Sequence, residues 1–90
     1  MDDNIIMIFK RGDTDKGVDI EVPAGITAGE LIYGLNQGFH LGINMDNPAD
    51  TYLRAENPVR LVRGEKTLAE LGLHHGTTLY YERFINTDAE

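Results

Sequence analysis

Few side chains in this 90-residue chain are of a kind that does covalent chemistry. Cys and Ser are both absent, so of the usual hydroxyl and thiol nucleophiles only Thr remains. Without Cys there are no disulfides, thiolate metal sites or iron–sulfur clusters. His74 and His75 are the pair a metal site would draw on. Adjacent histidines on a turn point apart, however, and no third ligand stands at a usable spacing. They read as a solvated turn, and His40 reads as a structural residue near a helix end. Asp13 and Asp15 lack the remaining ligands and the closing Glu of an EF-hand loop. The stretch Gly12 to Gly17 lacks the Gly-Lys-Ser/Thr ending that lets a glycine loop cradle phosphate. The expectation is a protein that is not an enzyme, with no catalytic residue, cofactor or metal.

Charge narrows the class further. Fifteen acids against eight bases give a formal charge of −7. That disfavours nucleic acid, whose binders neutralise phosphates, and it disfavours anionic lipid. Four of the eight bases, Arg54, Arg60, Arg63 and Lys66, fall close together. They read as a solvated face or, more sharply, as a basic patch for an acidic protein surface. The longest apolar run is Ile5–Phe9, so no direct membrane insertion is expected. Met1-Asp2-Asp3 is acidic where a signal peptide would be basic, so the expected location is cytoplasmic.

The elements that must carry these residues are legible from periodicity. Ninety residues make one small domain, burying roughly 60–65% of its unfolded surface. Ile5 to Lys10 is an Ile-rich strand. Turn chemistry follows from Gly12 to Gly17, and then Val18-Asp19-Ile20-Glu21-Val22 alternates as a second strand closed by Pro23. Thr27-Ala28-Gly29-Glu30 is a capping box, with Ile26 and Leu31 placed for a hydrophobic staple. Ala28, Leu31, Ile32, Leu35 and Phe39 form one apolar helical stripe, which leaves Glu30, Asn36 and Gln37 outside. Gly38 or Gly42 is expected to end the helix. Leu41 to Asp50 is a loop. Thr51 to Ala55 and Val59 to Arg63 are short strands, with Leu53 and Leu61 expected inward. Thr67-Leu68-Ala69-Glu70 is a second capping box that starts a single turn stopped by Gly72. The last strand runs from Thr77 to Phe84, with Leu79 and Tyr81 on one face and Tyr80 and Glu82 on the other. This order predicts a two-layer α+β domain: one helix on a mixed sheet of four or five strands, with the first and last strands central.

That order, together with Arg60-Leu61-Val62-Arg63-Gly64-Glu65-Lys66-Thr67-Leu68-Ala69-Glu70-Leu71-Gly72-Leu73-His74-His75-Gly76-Thr77-Thr78-Leu79, resembles the C-terminal half of a ubiquitin-like β-grasp domain. Asp19-Ile20-Glu21-Val22-Pro23, Ile26-Thr27-Ala28-Gly29-Glu30-Leu31 and Ala55-Glu56-Asn57-Pro58 bring the resemblance to the YukD/EsaB family. These are small proteins encoded with type VII (WXG-type effector) secretion systems. The resemblance covers roughly residues 5–83, and the expected organisation is a ubiquitin-like domain over residues 5–84 with flexible ends at 1–4 and at the polar 85–90. It also implies a non-catalytic, cytosolic accessory or regulatory component of such a system. The alternative is a ubiquitin-like accessory subunit of a bacterial multicomponent monooxygenase. Ubiquitin-type modifiers and sulfur carriers end in Gly-Gly, whereas this sequence ends Asn86-Thr87-Asp88-Ala89-Glu90, so conjugation is not expected. By pattern, the positions of ubiquitin's apolar patch fall at Val62, Tyr80 and Glu82. The acidic third position argues against recognition by ubiquitin receptors.

A domain of this kind works through its surface, with a protein as partner: the cytosolic part of the secretion machinery or another copy of itself. If Ile5, Met7 and Phe9 face the helix, Ile6 and Ile8 face away. The expected protein-binding set is Ile6, Ile8, Val62 and Tyr80 on the open face of the sheet, with Arg54 and Arg60 at its edge. Two outcomes follow from this reading. Leu35→Ala lowers the unfolding free energy in urea by about 2–5 kcal/mol, the range for a core leucine, and a loss below about 0.5 kcal/mol would place the stripe elsewhere. Deleting Ile85 to Glu90 leaves the melting temperature within a few degrees, because a polar end buries little.

Overall fold

Alternation along the first strand sets the frame. In a computed structural model, which describes residues 3–12, 16–43 and 52–81, β1 (Asn4–Lys10) buries Ile5, Met7 and Phe9 and turns Asn4, Ile6 and Ile8 the other way. β2 (Val18–Pro23) pairs antiparallel with it, Met7 opposite Ile20 and Ile8 opposite Asp19. After helix α1 (Ala28–Phe39) come β3 (Leu53–Glu56), β4 (Arg60–Val62) and β5 (Thr78–Tyr80). The strand order is β2-β1-β5-β3-β4. β1 and β5 lie side by side at the centre and parallel, while the other pairs are antiparallel. This is the α+β arrangement expected from the sequence, with five strands.

The helix forms where the capping box predicts. The Thr27 hydroxyl accepts from the Glu30 amide at 3.1 Å, and the Glu30 carboxylate accepts from the Thr27 amide at 2.9 Å. Ala28, Leu31, Ile32 and Leu35 are buried against the sheet, and the Phe39 ring meets that of Phe9 at 5.0 Å. The second box repeats the pattern, Glu70 to Thr67 at 3.1 Å and Thr67 to Glu70 at 2.8 Å, and encloses one turn.

The two boxes are docked on one another. The Ala28 and Gly29 amides, which a helix start leaves without intrahelical acceptors, donate to the carbonyls of Lys66 and Gly64 at 2.9 Å each. In return the Leu68 and Ala69 amides donate to Ile26 and Ala24 at 3.0 Å each. Leu68 is thereby carried fully into the core.

The far end of the helix differs from expectation. Neither Gly38 nor Gly42 terminates it. His40 does, in the left-handed conformation (φ 55), with its amide donating to the Asn36 carbonyl. Asn36 is also not simply left outside. Its side-chain amide donates to the Ile43 carbonyl at 3.1 Å and its oxygen accepts from the Ile43 amide at 3.0 Å, drawing Ile43 into the core. The strands after the helix are shorter than expected. Thr51, Asp13, Asp15, most of the Leu41–Asp50 loop, and Glu82 with the tail fall wholly or partly outside the described residues.

Among the described residues, Thr77 is the buried polar residue of the core. Its hydroxyl donates to the Asn57 carbonyl at 2.8 Å and accepts from the His74 amide at 3.0 Å, tying the β3–β4 turn to the approach to β5. Thr77→Val keeps the shape and removes both bonds. The expected loss, read by urea denaturation, is about 1–3 kcal/mol, and an unchanged midpoint would show that the two turns are held without it.

Candidate functional site

With the helix on one face of the sheet, the opposite face is built from alternate residues of every strand. Register places Asp19 beside Ile8 and Glu21 beside Ile6, then Thr78 beside Ile8, Tyr80 beside Lys10, and Arg54 between Tyr80 and Leu61. Paired residues share a face, so these side chains form one surface. Ile6 is 45% exposed and Leu61 is 48% exposed.

Tyr80 is its centre. The Arg54 guanidinium lies 4.2 Å from the ring centroid and the Lys10 ammonium 5.8 Å from it, so two cations flank the electron-rich ring. Glu56 fixes this group. Its carboxylate accepts from Arg54 at 2.7 Å, and the Tyr80 hydroxyl donates to it at 3.4 Å. The ion pair is part-exposed and contributes little stability. Its effect is to hold the arginine over the tyrosine ring.

Ile8 is half-covered because β2 begins against it. A methyl group at Gly17 would lie 2.8 Å from Ile8 Cγ2 and 3.0 Å from Lys10 Cγ, and the residue has φ +89. Only glycine lets the chain pass there without displacing either side chain. At the other end of β1, the Ile6 amide donates to Nδ1 of His75 at 3.1 Å and the Ile6 carbonyl accepts from the Gly76 amide at 2.9 Å. An imidazole thus stands in for a strand carbonyl where β5 has not yet begun. His74 uses its own ring toward the His75 carbonyl at 2.8 Å. Both histidines are exposed on a turn, each ring with a backbone partner.

Ile6, Ile8, Arg54 and Tyr80 therefore share the open face, but two residues of the expected set do not. Val62 is fully buried, opposite Leu53, and Leu61 takes the outward place that Val62 was expected to hold. Arg60 lies opposite Ala55 on the helix side, where its guanidinium donates to the carbonyls of Leu71 and Val59 at 3.0 and 3.1 Å. The expected grouping of Arg54, Arg60, Arg63 and Lys66 into one patch is broken, since Arg54 and Arg60 occupy opposite faces. The error is one residue of register in β4. Arg60-Leu61-Val62-Arg63 has two adjacent apolar residues and no alternation, so the turn at Asn57 to Val59 decides the face. Lys10 and Leu61 were missed. Lys10 could have been placed by continuing the alternation of Ile6 and Ile8, whereas no local signal marked Leu61.

Among the described residues, no three His, Asp or Glu side chains come together to hold a metal, and no helix is long and apolar enough to cross a membrane. The open face offers contact area, an aromatic ring and charges held beside it.

No curated protein matches the chain. Among solved structures, the solution structure of a ubiquitin-like domain from tubulin-binding cofactor B superposes with a TM-score of 0.71. The match covers 98% of this chain and 100% of that one at 19% identity, and it shows the fold: this is a ubiquitin-like domain. The model of the family described as WXG100 protein secretion system (Wss), protein YukD, matches residues 10–80. That span begins at the last residue of β1 and takes in β2, α1, β3, β4, the second capped turn and β5, and the chain belongs to the YukD family of the WXG100 protein secretion system.

Proposed function

We propose that this protein is a non-catalytic docking domain, a cytoplasmic accessory or regulatory component of its secretion system that binds a protein partner without becoming covalently attached to it. The observation that carries the reading is the uncovered sheet face, where Ile6, Ile8, Tyr80 and Leu61 stand among ordered charges. Apolar groups gathered on one exposed face mark interaction sites, and tyrosine and arginine are favoured anchors in them. The YukD family membership supports placing that interaction in a secretion system.

The test uses a strain carrying the system with the gene for this chain deleted, complemented by wild type, Ile6→Glu or Leu61→Glu. Both substitutions put a charge on a half-exposed position, so melting temperatures stay within a few degrees. A carboxylate pressed into a contact is desolvated without a partner, at a cost of several kcal/mol. Secretion of the WXG100-type effector into the medium, or its control, is expected to fall to the level of the deletion strain. Full complementation by both stable variants would remove the sheet face as the docking surface. Recovery of the protein in isopeptide-linked form would overturn the non-covalent reading.

A further inference from the structure

The open face carries two signs of charge on opposite flanks. On the β2 flank, Asp19 and Glu21 are both exposed. Across β1 and β5, the β3 flank holds Arg54, with Lys10 on the other side of the shared tyrosine. Glu56 is tied to Arg54, so the net positive charge of this group comes from Lys10, which stands on β1 across the tyrosine, and the cationic side of the face is the Lys10–Tyr80–Arg54 end rather than β3 alone. Ile6, Ile8 and Thr78 lie between the flanks, and Leu61 lies beyond Arg54.

A uniformly acidic partner would meet Asp19 and Glu21, and a uniformly basic one would meet Lys10 and Arg54. Either juxtaposition of like charge opposes binding. The surface that fits has the same two flanks in reciprocal order around an apolar middle. A second copy of this chain is such a surface. Turned about a two-fold axis lying between the faces, it sets its acidic flank on the first copy's cationic flank and the reverse, with Ile8 and Thr78 near the axis. Every contact is then made twice, as in an isologous interface.

We infer that the occupant of the open face is a second copy of this chain, paired face to face through reciprocal Glu21–Arg54 and Asp19–Lys10 contacts. The inference rests on the docking reading and names its partner. It is tested by sedimentation equilibrium of the full chain over a range of concentrations. Wild type is expected to reach the mass of two chains with a Kd in the micromolar range, and added salt weakens it. Arg54→Glu and Glu21→Arg, each checked by thermal melting, are each expected to weaken association by about tenfold or more, because each places like charges together twice. An equimolar mixture of the two variants restores association, because each reversed residue then meets its opposite on the other chain. Should Arg54→Glu fail to fold, the pair Lys10→Glu and Asp19→Lys replaces Arg54→Glu and Glu21→Arg, since these two residues face one another across the same interface. The inference is overturned by a one-chain mass at every concentration, by variants that associate as wild type does, or by a mixture no tighter than its components. None of these results bears on effector secretion, so the docking reading stands or falls separately.

Discussion

One helix covers one face of a sheet, and a 90-residue chain has one helix of any length among its described residues. That shortage shapes the rest of the molecule. Helix α1 seals the inner sides of β1, β5 and β3, where Met7, Phe9, Leu53, Ala55 and Leu79 are all but inaccessible. Among the described residues, the outer sides of the same strands meet no second layer. An antiparallel or mixed sheet tolerates this when its outward residues are polar or long-stemmed. Here they include Ile6, Ile8 and Tyr80, with Leu61 of β4 on the same face and the cationic heads of Lys10 and Arg54 near the ring. The open face follows from the fold, and its composition is what carries the proposed docking role.

Because the core is small, polar groups at the element ends cannot be left to chance. The docking of the two capping boxes satisfies the amides of the helix start with carbonyls from a distant segment, and the turn at Thr67 is held by the same exchange. Buried Thr77 closes a further link between the β3–β4 turn and β5. Among the described residues no buried side-chain polar atom lacks a partner. In a domain with modest apolar burial, each such group left unmade would cost a sizeable part of the total stability. β5 is held next to β1 by backbone bonds of its own, the Ile8 amide to the Thr77 carbonyl and the Tyr81 amide to the Lys10 carbonyl at 2.9 Å each, and this pairing places Tyr80 beside Lys10.

The open face is ordered rather than merely exposed. Gly17 permits close passage of β2 over Ile8, His75 extends the pairing of β1 beyond the start of β5, and Glu56 holds Arg54 against Tyr80. Fixing side chains before a partner arrives reduces the entropy lost on binding. A ubiquitin-like fold shared at 19% identity with a domain of a tubulin-binding cofactor is compatible with many partners. In this chain the surface carries acids on β2 and cations around the tyrosine.

Local patterns in the sequence determined the strand β1, the alternation of β2, both capping boxes and the buried stripe of α1. In each case the signal is contained within a few neighbouring residues: a period of two, a period near 3.6, or a Thr-x-x-Glu pair. These elements and their order were enough to bring the ubiquitin-like family into view, and to place Ile6, Ile8, Arg54 and Tyr80 on one face. The tertiary structure decided the rest. β4 offers Arg-Leu-Val-Arg, whose pattern fits either face, and only pairing with β3 turned Val62 inward, Leu61 outward and Arg60 to the helix side. His40 ends the helix although glycines stood on either side of it, because Asn36 reaches forward to hold Ile43. The encounter of Lys10, Tyr80 and Arg54 joins three strands far apart in the chain, and no local pattern contains it, because strand order and register are properties of the assembled sheet.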